Sequence, residues 1–262
     1  MERTEADEVL YLQLLLDKDP VTRFLAFSAV FEREMIRLLE NENAVPSTEF
    51  ADTVIRTLKD EELMKSCGSM PLLMFESVSD SRFAHEYGKL YSAKQRILRG
   101  IAEKYEDTLR ALYVKYDVSY QADGFEPAVL SAQFKANAVK NLILTILASL
   151  DTPDVHCLIR TQYRNANSAT NRLAALSLYL SSSASDRMDI LLEELARSAE
   201  HPLAFENFIA ASANTAHDTV SYLKVIEASP KFHIEQAGEA RSLYLRFAQN
   251  RKVSLETEDG RD

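Results

Sequence analysis

Four prolines constrain the fold of this chain more than any other feature. Asp19-Pro20, Glu126-Pro127, Thr152-Pro153 and His201-Pro202 each stand directly before a run with helical spacing. Proline has no N–H to lose at the first position of a helix, and its fixed φ already suits one. Asp19 and Thr152 can also accept backbone N–H bonds as N-caps. After Pro20 come Phe24, Phe27, Phe31, Met35 and Leu38; after Pro127 come Val139, Leu142, Ile143, Ile146, Leu147 and Leu150. Both sets recur at the interval of one helix face. Shorter sets follow at Val155, Leu158 and Ile159, at Leu173, Leu176 and Leu180, and at Met188, Leu191, Leu192 and Leu195. Phe205, Phe208 and Ile209 come next, then Val220, Leu223 and Ile226, then Leu243 and Phe247.

Turn-makers are scarce, with 6 Gly and 7 Pro in 262 residues, which favours regular elements joined by short links. The runs predict about a dozen helices. No Asn-Gly or Asp-Gly separates alternating strands; Asp259-Gly260 lies in the tail, with nothing after it to pair. From about Glu126 onward short helices are expected, with joins every 15 to 20 residues or so, the rhythm of stacked helix pairs. Ser181-Ser182-Ser183-Ala184-Ser185 reads as one such join, with Ser185 or Asp186 capping the next helix. The expected fold is therefore all-α, an α-solenoid of the armadillo/HEAT kind. Residues 1–125 form its N-terminal helical part, residues 126–250 form stacked short helix pairs of the same domain, and residues 251–262 form a polar, flexible tail.

Composition narrows the partners. The 46% hydrophobic and 27% charged residues make an ordinary globular mixture, long enough for one elongated domain or two compact ones. A net charge of -10 argues against nucleic acid and against an anionic membrane surface. The richest basic stretch, Lys94, Arg96, Arg99 and Lys104, reads as a solvated helix face. Cys67 and Cys157 are far apart and outside any CxxC, which fits a reducing compartment better than a disulfide scaffold. The opening MERTEADEVL is neither a signal nor a transit peptide, and no apolar run is long enough to span a membrane. The expected compartment is the cytoplasm.

Catalytic signatures are missing from the sequence. A zinc peptidase needs two histidines one helical turn apart with a glutamate between them. His85-Glu86-Tyr87-Gly88-Lys89 approaches that pattern but has Lys89, a cation, in place of the second ligand. His156, His201, His217 and His233 form no i, i+4 pair with another His or a Cys, and His201 and His217 read as helix-boundary residues. There is no G-x-S-x-G elbow and no glycine-rich phosphate loop. Asp60-Glu61-Glu62 reads as solvated, and Tyr105, Tyr113, Tyr116 and Tyr120 as packing and surface residues rather than a stacking platform. No catalytic or metal-binding residue is assigned to this chain.

Several segments nevertheless resemble a known family. In TQYRNANSATNRLAAL, Ala166, Asn167, Thr170, Leu173, Ala174, Ala175 and Leu176 match an aminopeptidase N pattern. In that pattern a short helix ends in Ala-Asn-Asn-Met-Thr-Asp and leads into Leu-Ala-Ala-Leu. Ser168, Ala169 and Asn171 depart from it. Near the start, Arg23 matches an Arg-Trp pair that opens a helix, and Phe24 stands for the Trp. Leu109 to Tyr120, with spaced tyrosines, looks like the family's long helix before the central repeats. In KFHIEQAGEARSLYLRF, Phe232, Arg241, Ser242, Leu243 and Phe247 match, while Ala237, Gly238 and Glu239 replace Pro-Asn-Arg. The segments keep the family's order from about Val9 to Phe247.

The chain thus resembles the C-terminal helical domain of the aminopeptidase N (alanyl aminopeptidase) family of zinc metallopeptidases. The resemblance implies a right-handed superhelix of stacked helix pairs that closes over a catalytic domain and narrows access to its zinc. The family's HExxH and its Gly-x-Met-Glu-Asn motif, which holds the free amine, belong to earlier domains and are not in this sequence. The implied role is a non-catalytic cap shaping the access of peptide N-termini, with zinc held by the partner catalytic domain and no cofactor in this chain. Asn167, Arg172, Glu239 and Arg241 are the candidates for its channel surface. The alternative is a free-standing helical-repeat module that binds proteins or peptides, since fold alone does not fix function.

Overall fold

A computed structural model describes residues 6–118 and 126–250. Tyr120, the tail 251–262 and its Asp259-Gly260 lie outside the described residues. Among those described, every regular element is helical: twelve α-helices and one 3-10 turn. The chain forms two compact units, Met1–Leu150 and Asp151–Asp262. The sequence reading places its internal division at 125/126. The units instead meet after α6 (Pro127–Ala148), a 22-residue helix that packs on α4 and α5 and belongs with the elements before it. The expectation of short helices from Glu126 therefore holds only from α7 onward.

The first unit contains α1 (Asp7–Leu16), α2 (Pro20–Glu40), α3 (Thr48–Leu58), α4 (Glu61–Cys67), a 3-10 turn (Met70–Leu72), α5 (Tyr87–Lys115) and α6. Its core contains the rings of Phe27, Phe31 and Phe50, with centroids 5.7 to 6.0 Å apart. That separation suits aromatic pairs. Around them α2 packs on α1, α5 and the 3-10 turn, and α3 packs on α1 and α5. The second unit contains α7 (Pro153–Asn165), α8 (Ala169–Leu180), α9 (Arg187–Ser198), α10 (Pro202–Ala213), α11 (Thr219–Glu227) and α12 (Ala237–Ala248). Here α10 packs on α8, α9, α11 and α12, and Tyr163, Tyr179, Tyr222 and Phe208 are fully buried.

All four marked prolines open helices, at the starts of α2, α6, α7 and α10. Of the expected caps, Asp19 forms its bonds and Thr152 and Asp186 do not. Asp19 accepts from the backbone N–H groups of Val21 at 3.2 Å and Thr22 at 3.1 Å. Thr152 occupies the N-cap position of α7 but makes no side-chain cap bond. Asp186 likewise precedes α9 without capping it, because its carboxylate is engaged by Tyr179 and Arg160. Ser47, Asp60 and Ser168 cap α3, α4 and α8, at positions that the proline pattern does not mark. Asp19→Ala is expected to cost about 1 kcal/mol and Thr152→Ala less than about 0.5 kcal/mol. Denaturant titration of both variants checks the contrast.

The basic stretch on α5 is only partly a solvated face. Lys94 pairs with Glu76 at 3.2 Å, and Arg96 donates to the carbonyls of Leu38 and Ala44. Arg99 pairs with Glu103 one turn on, and Lys104 with Asp52. Every cation of the stretch therefore has an internal acceptor.

Candidate functional site

The second unit gathers several of its charged residues around two carboxylates. Glu194, on α9, is buried. The Tyr163 hydroxyl, from α7, donates to its Oε2 at 3.0 Å, and Arg172 Nε, from α8, donates to its Oε1 at 3.2 Å. Arg197 Nε stands 3.7 Å from Oε2, and its guanidinium lies 5.6 Å from the centre of the Tyr163 ring. A carboxylate taken out of water is costly unless it is both paired and hydrogen-bonded, and here it has both kinds of partner.

The second carboxylate, Asp186, accepts from the Tyr179 hydroxyl at 2.5 Å and pairs with Arg160 at 2.6 Å. Arg160 also donates from Nε to the Tyr179 hydroxyl at 3.0 Å and lies 5.2 Å from the centre of its ring. Partial burial pushes the Asp186 carboxyl up, but the Tyr179 hydroxyl and the Arg160 charge outweigh it and leave the carboxyl below its ordinary value. Beside it, His156 Nε2 lies 2.6 Å from Asp151 Oδ1, which also accepts from the Ser183 N–H at 2.9 Å. These contacts tie the α8–α9 join to the start of α7. His156, Cys157, Arg160, Tyr179 and Asp186 line an open hollow of about 240 Å³.

Buried tyrosines give each unit a pH signature. Burial, then the charge of Glu194, raises the Tyr163 phenol. Burial likewise raises Tyr222 to about 12, and burial with Glu49, Glu34 and Asp7 raises Tyr11 to about 12. In the unfolded chain these groups lose their protons near 10.0, whereas the folded chain retains them to about 12. Stability is therefore intact below pH 10 and falls as pH rises toward 12. The chain has 11 Tyr and no Trp, so phenolate absorbance can be followed without tryptophan overlap. A titration is expected to show an early exposed group and a late buried group, the latter accompanying unfolding.

The sequence-derived candidates fall into separate places. Asn167 is exposed in the α7–α8 join. Arg172 belongs to the Glu194 cluster. Glu239, at the start of α12, accepts from the His233 N–H at 3.0 Å. Arg241 is exposed on α12. Arg172 and Glu239 thus bond to different partners rather than forming one cluster. Glu194, which holds Arg172, and Tyr163 and Arg197, which also contact Glu194, were not among the candidates.

The zinc-like pentad is a turn running into α5. Lys89 pairs with Glu86 at 2.9 Å, and the His85 ring sits edge-on to Tyr87. Among the described residues no three His, Cys, Asp or Glu side chains stand close enough together to hold a metal ion. His201 occupies the N-cap position of α10 without a side-chain cap bond, and His217 immediately precedes the N-cap of α11. Cys67 and Cys157 are both free thiols. No described helix is long and apolar enough to cross a membrane.

Comparison with known proteins places this architecture. The structure matches a Legionella pneumophila aminopeptidase A, solved in complex with aspartic acid, with a TM-score of 0.78 and 16% sequence identity. The match covers 96% of this chain and 30% of that one, so the chain corresponds to less than a third of the enzyme's length. No curated protein matches the sequence. The sequence resemblance to an aminopeptidase's C-terminal helical domain agrees with this likeness of fold. A family model described as "Domain of unknown function (DUF3458_C) ARM repeats" matches residues 7–262, and the chain belongs to that armadillo-repeat family.

Proposed function

We propose that this chain is the non-catalytic helical cap of a zinc aminopeptidase, working in the cytoplasm beside a catalytic domain that holds the metal. In this role it narrows the route by which peptide N-termini reach that metal. The observation that carries the reading is the fold match over 96% of the chain to part of an aminopeptidase. The chemistry agrees: the titratable side chains around Glu194 and Asp186 are joined to one another in ion pairs and hydrogen bonds, as suits a wall.

Helix α1 adds a second line of support. It buries Leu10 and Leu14 but leaves Val9, Leu12 and Leu16 exposed at 44%, 57% and 68%, on the opposite side. A helix that is apolar all round belongs in an interior, so this face suits a neighbour. The same face would serve a free-standing interaction module, which is the competing reading.

Asn167, Arg172, Glu239 and Arg241 remain the proposed channel contacts, and Arg241, exposed and charged, is the sharpest test. In the enzyme carrying this domain, Arg241→Glu is expected to change kcat/KM for peptides of three or more residues about tenfold, equivalent to roughly 1.4 kcal/mol. An alanyl or leucyl fluorogenic substrate, too short to reach the wall, should be hydrolysed as before. Unchanged kinetics for both substrates, or equal changes in both, would remove Arg241 from the channel.

A further inference from the structure

The first unit contains a cavity of about 220 Å³ where α4, the end of α5 and α6 meet. Ligand pockets for drug-sized molecules run to roughly 300–1,000 Å³, so this one suits a molecule the size of an amino acid. Met64, Ala132 and Ala136 supply an apolar wall. Lys65, Lys115 and Lys135 also line it, with Glu61 as the one carboxylate among the lining residues. In a chain with a net charge of -10, this is a local reversal of sign.

The pairing within the wall sharpens that reversal. Glu61 is shared: Lys115 Nζ lies 2.5 Å from Oε1, and Lys65 Nζ lies 3.8 Å from Oε2. Lys65 also reaches the exposed Glu62 at 3.3 Å. Lys135 is half-buried and has no carboxylate partner among the described residues. A cation without a counter-charge favours an incoming anion. Tyr116, in the same lining, buries its hydroxyl without a hydrogen-bond partner.

We propose that this cavity binds a small aliphatic carboxylate that carries no ammonium group. The apolar body lies against Met64, Ala132 and Ala136, and the carboxylate sits between Lys135 and the Lys65–Lys115 pair. A free amino acid is disfavoured because its own ammonium meets three others. Two sources share the required chemistry: the C-terminal residue of a peptide and a short branched fatty acid. The proposal does not rest on the peptidase reading and stands or falls separately from it.

Calorimetric titration of the purified chain tests it with four probes. N-acetyl-L-leucine represents a peptide C-terminus and 4-methylpentanoate a fatty acid. N-acetyl-L-leucinamide lacks the carboxylate, and L-leucine retains the ammonium. Saturable binding of at least one of the first two is expected, with affinity at least about tenfold weaker for the amide and for leucine. Which of the first two binds more tightly identifies the source. Lys135→Met, checked for an unchanged melting temperature, is expected to weaken that binding about tenfold or more, and added salt should weaken it in the unaltered protein. Binding of the amide as tight as that of the acids, affinity unaltered by Lys135→Met, or no binding of either acid up to about 10 mM would overturn the proposal.

Discussion

Arg172→Ala is expected to destabilise the protein by about 3 kcal/mol, the lower end of what removing one partner from a buried ion pair costs. The lower end applies because Glu194 is buried but the Arg172 side chain remains 26% exposed. The substitution leaves a buried carboxylate with Tyr163 and the more distant Arg197, at 3.0 and 3.7 Å. Arg197→Ala should cost less than about 1 kcal/mol, because its side chain is 43% exposed and its contact is longer. The double variant Arg172→Met, Glu194→Gln should recover at least half of the loss. Its glutamine still accepts from Tyr163 but no longer carries a buried charge. Urea titration of the set decides the matter. If Arg172→Ala proved as mild as Arg197→Ala, the Glu194 cluster would not be what holds α7, α8 and α9 together.

Gly68→Ala is the second large effect, at about 2 to 3 kcal/mol. Gly68 ends α4 with φ 62° and ψ -142°, a region almost closed to residues with a Cβ. An added Cβ there would also lie 3.3 Å from the Cα and the carbonyl oxygen of Lys135 on α6. Strain and close contact add, and the Lys135 backbone must give by a few tenths of an ångström. Gly238→Ala provides the control. Nothing lies within 4 Å of its added Cβ, and it sits in α12, where alanine is the better helix former. That change is expected to stabilise by about 0.5 to 1 kcal/mol. Thermal melts of the two variants should therefore shift in opposite directions.

Much of the fold is legible in the sequence because its signals are local. A proline at the first helical position acts within one turn, and all four marked prolines open helices. The apolar sets around Phe27, Phe31 and Met35, or Phe205, Phe208 and Ile209, are buried as their spacing requires. Caps were harder to foresee. Thr152 has the right chemistry and position but makes no bond, whereas Asp186 is drawn away by a tyrosine and an arginine.

The candidate site was less legible, for a physical reason. On α9 the spacing of Met188, Leu191, Leu192 and Leu195 suggests an apolar face that includes Leu192. The buried face instead contains Ile190, Leu191, Glu194, Leu195 and Ser198, while Leu192 stays 47% exposed. A glutamate inside an apolar period reads as solvent-facing unless its partners are known. Those partners lie 22 residues away at Arg172 and 31 away at Tyr163. The basic pocket is hidden in the same way, because Lys65, Lys115 and Lys135 come from three helices. Arg172 was singled out by family resemblance, which placed it on a channel surface but did not reveal its tie to Glu194.

The most direct test of the cap reading is to isolate the native protein from its source with an antibody against this chain. The captured material is then sized on a denaturing gel and assayed for alanyl and leucyl aminopeptidase activity, with and without a zinc chelator. Expected is a polypeptide several times longer than these 262 residues, carrying chelator-sensitive activity. A band the size of this chain alone, with no associated aminopeptidase activity, would contradict the cap and leave the free-standing repeat module in its place.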